Sequence, residues 1–145
     1  MALSEYKMAL VTGASSGVGA ACVRALREKG VDVVALARRE DRLAALADET
    51  GCQTMSLDLM DTGAIYAKLP GLDADILVNN AGLGRGYEGF LKSSAAEIEQ
   101  MVDLNVTAAF HVTRALAEGM AERKSGHIVQ IGSIAALYPI GFPVY

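Results

Sequence analysis

Three glycines follow the apolar run Met8–Val11 at short spacing, namely Gly13, Gly17 and Gly19. Gly13 can take a sharp turn at a strand end, and Gly17 lets the backbone come close to a ligand, because glycine has no Cβ. Gly19 lets the following helix pack closely. The unpaired N–H groups and positive dipole end of that helix would face the loop, and this arrangement binds phosphate. The stretch Thr12–Gly19 therefore predicts a phosphate-binding turn between a strand and a helix.

The elements that would position this turn alternate between strand and helix along the chain. Short apolar runs predict five strands, over 8–11, 31–37, 54–57, 76–78 and 127–131. Apolar residues at helical spacing predict helices over 17–29, around Leu43 and Leu46 up to Gly51, over 61–69, and from Ser94 to about Arg123. Such alternation predicts a doubly wound α/β fold of the Rossmann type, with a parallel sheet of five strands in one domain over 1–145.

Composition excludes several classes of partner. A net charge of −4 and a pI near 5.1, without any run of basic residues, argue against nucleic acid and against an anionic membrane surface. We find no apolar stretch of the roughly 18–20 residues that a membrane span needs, and no signal peptide, so a cytoplasmic location is expected. Cys22 and Cys52 lie far apart, as do His111 and His127, and no metal site is predicted.

Further polar residues follow the predicted strands or lie in the long helix. They are Asn79-Asn80-Ala81-Gly82 after the fourth strand, Asn105 in the helix, Ser133 after the fifth strand, and Tyr145. The glycine loop lacks the Gly-Lys-Ser/Thr pattern of P-loop nucleotide triphosphatases. Taken together, the order and spacing of these residues resemble the short-chain dehydrogenase/reductase family from Met8 to the last residue.

The resemblance implies a dinucleotide site along the strand ends. The glycine loop would hold the cofactor pyrophosphate and adenosine ribose through Thr12, Gly13, Ser15, Ser16, Gly17, Val18 and Gly19. Asp58 would contact the adenine ring, and the neighbouring Leu59 is assigned to the cofactor site as well. The motif after the fourth strand would brace that strand and line the nicotinamide ribose through Asn79, Ala81 and Gly82.

The same resemblance implies hydride transfer between a nicotinamide and a carbonyl or secondary alcohol. Its predicted catalytic set is Asn105, which would support the site through a bound water, Ser133, which would hydrogen-bond the substrate oxygen, and Tyr145, the general acid or base. The pattern from 126 to 145 suggests small 3-hydroxy acids or hydroxy amino acids such as serine as substrates. The resemblance also implies a homodimer or homotetramer.

The end of the second predicted strand decides the choice of cofactor. A carboxylate there favours NAD through the ribose 2′-hydroxyl, whereas an arginine accommodates the 2′-phosphate of NADP. This chain has Ala37 followed by Arg38 and Arg39. Because a guanidinium matches phosphate geometry, we predict NADP rather than NAD.

One departure from the family limits this prediction. Members carry a lysine four positions after the tyrosine, which lowers the phenol pKa, whereas this sequence ends at Tyr145. An unperturbed phenol has a pKa of about 10, far from the working pH of a general base. Residues 1–145, which also lack the family's later strands and helices, are therefore expected to be feeble or inactive. A non-catalytic NADP-binding fragment or sensor, or part of a longer enzyme, remain open alternatives.

Overall fold

A five-stranded parallel sheet forms the centre of the computed structural model, which describes residues 6–85 and 88–134, in the order β3-β2-β1-β4-β5. The strands are β1 Met8–Thr12, β2 Asp32–Ala37, β3 Gln53–Ser56, β4 Ile76–Asn79 and β5 His127–Gln130. All four neighbouring pairs are parallel. The predicted α/β fold is confirmed, and β3 begins one residue earlier than the sequence indicated.

Helices cover both faces of this sheet. They are α1 Gly17–Glu28, α2 Glu40–Thr50, α3 Thr62–Lys68, α4 Ala95–Val102 and α5 Ala109–Arg123, with a 3₁₀ turn at Phe90–Lys92 and a π-helical turn at Asp103–Ala108. The single α-helix predicted from Ser94 to Arg123 is therefore interrupted by a wider turn. Within the described parts of the chain, no helix has the length and apolarity to cross a membrane.

Two apolar cores lie on opposite faces of the sheet, because successive strand residues point to opposite sides. Ala9 and Val11 of β1 pack on one face with Val23 of α1 and Leu43 of α2. Residue Leu10, between them, belongs to the other core. That second core is completed by side chains from the neighbouring strands and from α3 and α5, among them Leu36, Ile65, Leu77 and Val112.

The order of the strands creates a crevice at the carboxyl end of β1. From β1 the chain moves outward through β2 and β3, then returns to place β4 on the other side of β1. Val11 pairs with Ala35 of β2 on one side and with Val78 of β4 on the other. Ligands of open α/β sheets bind where the winding direction changes in this way. The predicted phosphate-binding turn lies at this point.

Helices α1 and α2 are joined on the outer surface by a two-pronged ion pair. Nε and Nη2 of Arg24 donate to the two carboxylate oxygens of Glu49 at 2.6 and 2.7 Å. These hydrogen bonds lower the pKa of Glu49 and raise the pKa of Arg24 from their ordinary values. Both side chains are exposed, so the pair orients the helices without carrying much of the stability.

Candidate active site

The turn after β1 has the backbone that its glycines predicted. Gly13 has a φ of +64°, a left-handed conformation that favours glycine. A Cβ placed on Gly19 would lie 2.5 Å from the carbonyl oxygen of Gly13 and 2.5 Å from Nδ2 of Asn80. The first turn of α1 therefore lies against both the loop and the end of β4, which only glycine permits at position 19.

A buried threonine ties the ends of β1 and β4 together. Oγ1 of Thr12, a residue that is 1% exposed, accepts hydrogen bonds from the backbone N–H groups of Asn80 and Ala81, both at 3.0 Å. The same hydroxyl donates to the carbonyl oxygen of Val78 at 3.4 Å. Thr12 thus fixes the separation of the two strand ends between which the crevice opens.

Asn80 makes the reciprocal contact. Its Nδ2 donates to the carbonyl oxygens of Thr12 at 2.9 Å and of Gly13 at 3.3 Å. The sequence singled out the motif from 79 to 82 but gave this asparagine no role of its own. The sequence feature that could have revealed this role is the position of the side-chain amide, one residue beyond a buried strand. There the carbonyl groups of the neighbouring turn need hydrogen-bond donors.

Asn79 faces a different part of the molecule. It is the last residue of β4 and 6% exposed, and its Nδ2 donates to Oγ1 of Thr113 at 2.8 Å and to the carbonyl oxygen of Ala109 at 3.4 Å. These contacts fasten β4 to α5. They place Asn79 beneath the helix, and among the described residues it lines neither of the two clefts that follow.

The first cleft, of about 340 Å³, lies between the glycine turn and the ends of β2 and β3. Most of the predicted cofactor residues line it, namely Gly13, Ser15, Ser16, Val18, Arg38, Arg39, Asp58, Leu59, Ala81 and Gly82. Four predicted cofactor residues do not line this cleft. Of these, Thr12, Gly19 and Asn79 are buried, and Gly17 is exposed on the turn. Lining residues that the sequence did not indicate are Leu36, Leu57 and Leu104, and the cleft is also lined by Ala37 and Asn80, which lie within the predicted motifs.

Two arginines stand on the rim of this cleft in different surroundings. Arg39 donates from Nε and Nη2 to Oγ of Ser15, at 3.1 and 2.7 Å, and from Nη2 to Oγ of Ser16 at 2.8 Å. Arg38 lies 3.9 Å from a carboxylate oxygen of Asp58 across the cleft. Because hydroxyl groups are neutral, the partners of Arg39 leave its charge uncompensated and orient it for an anion.

A second cleft, of about 570 Å³, adjoins the first and shares Asn80 and Gly82 with it. Its wall continues along the loop after β4, along α4 and the π-helical turn, and reaches Ser133 beyond β5. The predicted Ser133 and Asn105 are thus brought to one cavity. Tyr145, the third predicted catalytic residue, lies outside the described residues.

Asn105 holds the loop that follows β4. Its Oδ1 accepts from the backbone N–H of Leu83 at 2.8 Å, and its Nδ2 donates to the carbonyl oxygen of Leu83 at 2.9 Å. The residue lies in the π-helical turn, a wider form of helix that often marks functional sites. The side-chain amide thus pairs with the backbone of the loop, and its contact to a bound water stays a prediction.

The two histidines have aromatic neighbours away from these clefts. Nδ1 of His111 lies 3.0 Å from the hydroxyl of Tyr66, and the ring of His127 lies edge-on to that of Tyr6. In the described stretches, no group of three His, Cys, Asp or Glu side chains could hold a metal ion. Both cysteines are free thiols, Cys52 buried and Cys22 partly so.

Comparison with known proteins identifies the family of this chain. The short chain dehydrogenase family profile matches residues 7–145. The chain belongs to that family. The NADP-dependent 3-hydroxy acid dehydrogenase YdfG of Salmonella typhi is 44% identical over 137 residues, which is 90% of this chain and 55% of the relative.

Solved structures of family members agree with the fold. Serine dehydrogenase from Escherichia coli superposes with a TM-score of 0.87 at 40% identity, over 93% of this chain and 66% of that one. A short-chain dehydrogenase from Sphingobium yanoikuyae in complex with NADPH gives a TM-score of 0.83 at 35% identity, over 94% and 57% of the two chains. The chain thus spans little more than half the length of the curated relative.

Proposed function

We propose that this chain is the cofactor-binding part of an NADP-dependent oxidoreductase that interconverts a carbonyl compound and a secondary alcohol. The observation that supports it is the pair of adjoining clefts at the carboxyl ends of β1 and β4. One carries two arginines on its rim, and the other contains Ser133. The names of the Salmonella and Sphingobium relatives, which mention NADP and NADPH, favour the same cofactor.

The residues of the first cleft suit NADP. The N–H groups at the start of α1 would face the pyrophosphate, and Asp58 could accept a hydrogen bond from the adenine amino group. Arg39, already oriented by Ser15 and Ser16, would bind the 2′-phosphate with Arg38. When bound, NADP supplies a carbon that gives or takes a hydride.

The second cleft would hold the substrate. The Ser133 hydroxyl would hydrogen-bond the substrate oxygen, and Tyr145 would move the proton to or from it. Asn105 would act by position, since its amide fixes the loop that forms one wall. The substrate class we propose is a small 3-hydroxy acid or hydroxy amino acid, as the names of the Salmonella and Escherichia relatives suggest.

Cofactor titration tests the first half of this proposal. In the product of the complete gene, NADPH should bind more tightly than NADH by about tenfold or more, because a lost charge-assisted contact costs at least that factor. Arg39→Ala should remove most of the preference. The matched control is Arg42→Ala, a change in another exposed arginine near the start of α2. Equal affinity of the unaltered protein for both cofactors would contradict the NADP proposal.

Turnover tests the second half. Tyr145→Phe keeps the ring but removes the proton-carrying hydroxyl, so kcat should fall by a factor of about 100 or more with little change in NADPH affinity. Normal turnover by Tyr145→Phe would show that the proton moves elsewhere.

We further propose that the complete protein is a homodimer or homotetramer. Val102, Val106 and Phe110 follow one another at four-residue spacing from the end of α4 into α5, and they are 50%, 48% and 72% exposed. A second copy of the same chain would cover this exposed apolar row. Because Val102 and Val106 also line the second cleft, the second copy would lie at the edge of that cleft.

A further inference from the structure

The second cleft presents no charged side chain among the described residues that line it. Its walls are formed by backbone, by Asn80, Asn105 and Ser133, and by apolar side chains such as Ile98, Met101 and Val106. A hydroxy acid carries a carboxylate, and moving a carboxylate out of water without a partner is costly. A substrate of the class proposed above therefore needs a cation that these lining residues do not supply.

The loop after β4 carries one arginine next to two residues that line the cleft. Leu83 and Gly84 line the cleft, and Arg85 follows them directly. The loop is fastened at Leu83 by both groups of the Asn105 amide, and at Arg85, where the backbone N–H donates to Sδ of Met101 at 3.1 Å. Position 85 is thus held against the rim while its side chain is exposed.

The side chain of Arg85 also differs from those of most arginines, because it has no hydrogen-bond or ion-pair partner among residues 6–85 and 88–134. Five arginines make hydrogen bonds or ion pairs with described residues, namely Arg24, Arg27, Arg38, Arg39 and Arg123. Arg42, Arg85 and Arg114 make none within the described parts of the chain. Of these three, Arg85 is the one beside cleft residues. Arg42 lies in α2 and Arg114 in α5.

We propose that the guanidinium of Arg85 binds the carboxylate of the substrate at the mouth of the second cleft, which makes it the residue that selects hydroxy and keto acids. This inference rests on the proposed function. A guanidinium presents two parallel N–H donors to the two oxygens of a carboxylate, so it fixes the orientation of the acid as well as its charge. The hydroxyl carbon would then point inward, toward Ser133.

The test compares an acid with its neutral analogue in the complete gene product. We would measure kcat/KM for a 3-hydroxy acid and for its methyl ester with NADP⁺, in the unaltered protein and in Arg85→Gln. The acid-to-ester ratio should fall about tenfold or more in the variant, mainly through KM, because a charge-assisted pair is lost. Arg85→Lys should restore part of the ratio. Arg114→Gln is the control, at an exposed arginine of α5 whose side chain likewise has no partner among the described residues, and it should leave the ratio unchanged.

Other outcomes would overturn the proposal. An unchanged acid-to-ester ratio in Arg85→Gln would remove Arg85 from acid recognition, and a weaker affinity for NADPH instead would assign it to the cofactor. If the unaltered protein turned over neither substrate, the proposed function would fail on its own. The Arg85 proposal would then be tested by measuring the affinity of the NADP⁺ complex for the 3-hydroxy acid. This affinity should be weaker in Arg85→Gln than in Arg114→Gln. Equal binding would refute it.

Discussion

A single hydroxyl at position 12 organises the crevice. The Thr12 hydroxyl accepts two hydrogen bonds from backbone N–H groups and donates one to a backbone carbonyl. All three partners lie between 66 and 69 positions away in the sequence. These bonds satisfy two N–H groups at the end of β4, where the chain leaves the sheet and regular strand pairing stops. The geometry of the first cleft thus depends on a residue that does not line it.

Removing this hydroxyl should destabilise the protein. Thr12→Val keeps the shape of the side chain but leaves the partly buried N–H groups of Asn80 and Ala81 without their acceptor, at a cost of about 1 kcal/mol or more. Thr12→Ser keeps the hydroxyl and should lose much less. Urea denaturation of both variants would measure this difference in the free energy of unfolding. An equal loss in the two would show that the methyl group, not the hydroxyl, stabilises this site.

The two asparagines after β4 show where sequence reasoning stops at this scale. Asn79 and Asn80 are identical in type and adjacent, so the motif alone cannot tell which one faces the crevice. Asn79 is still within the strand and points toward α5, whereas Asn80 has left it and reaches back to Thr12. The direction of each side chain is set by where β4 ends, which depends on its pairing with β1 and β5.

At the scale of elements, α1 is positioned by the absence of a side chain at Gly19. An alanine there would place its Cβ 2.5 Å from backbone of the preceding loop. We expect Gly19→Ala to cost about 1–3 kcal/mol, as overpacking does, and to weaken NADPH binding because the helix must move away from the loop.

Gly30→Ala, just beyond the other end of α1, is the matched control for this change. Its φ is +81°, a Cβ there would meet nothing within 4 Å, and Gly30 does not line the first cleft, so only backbone strain of about 1–2 kcal/mol is expected. For a similar loss of stability, Gly19→Ala should therefore weaken NADPH binding more than the control does. Titration would measure the affinity and thermal unfolding the stability. A Gly19→Ala protein with unaltered affinity would refute the close-packing role.

The long helix was predicted in position but not in form. Apolar spacing and the Ser94-x-x-Glu97 pattern indicated its start, and both hydrogen bonds of that capping box are present. The spacing of apolar residues does not predict the π-helical turn from Asp103 to Ala108. It coincides with the contact between Asn105 and Leu83, which lie 22 positions apart, and local periodicity carries no information about such a contact.

At the scale of the whole molecule, the exposed row Val102, Val106 and Phe110 bears on assembly. Phe110→Asp in the complete gene product should lower the molecular mass measured by light scattering, because a buried unpaired carboxylate is costly at an interface. Leu91→Asp is the control, since Leu91 is 98% exposed and lies outside the row. A Phe110→Asp protein with unchanged mass would place the interface elsewhere.

The strand order also has a consequence for the kinetics of folding. β1 pairs with β2 across a single crossover helix, α1, but its partner in β4 is distant, since Val11 pairs with Val78. Closing such a long loop costs entropy that local contacts do not, so pairing of this kind is slow. The glycine turn can form early, but the hydrogen bonds that Asn80 donates to it can form only after β4 has paired with β1. The crevice at the carboxyl ends of β1 and β4 is therefore completed by the long-range step of folding, although its glycine turn is encoded within a few adjacent residues.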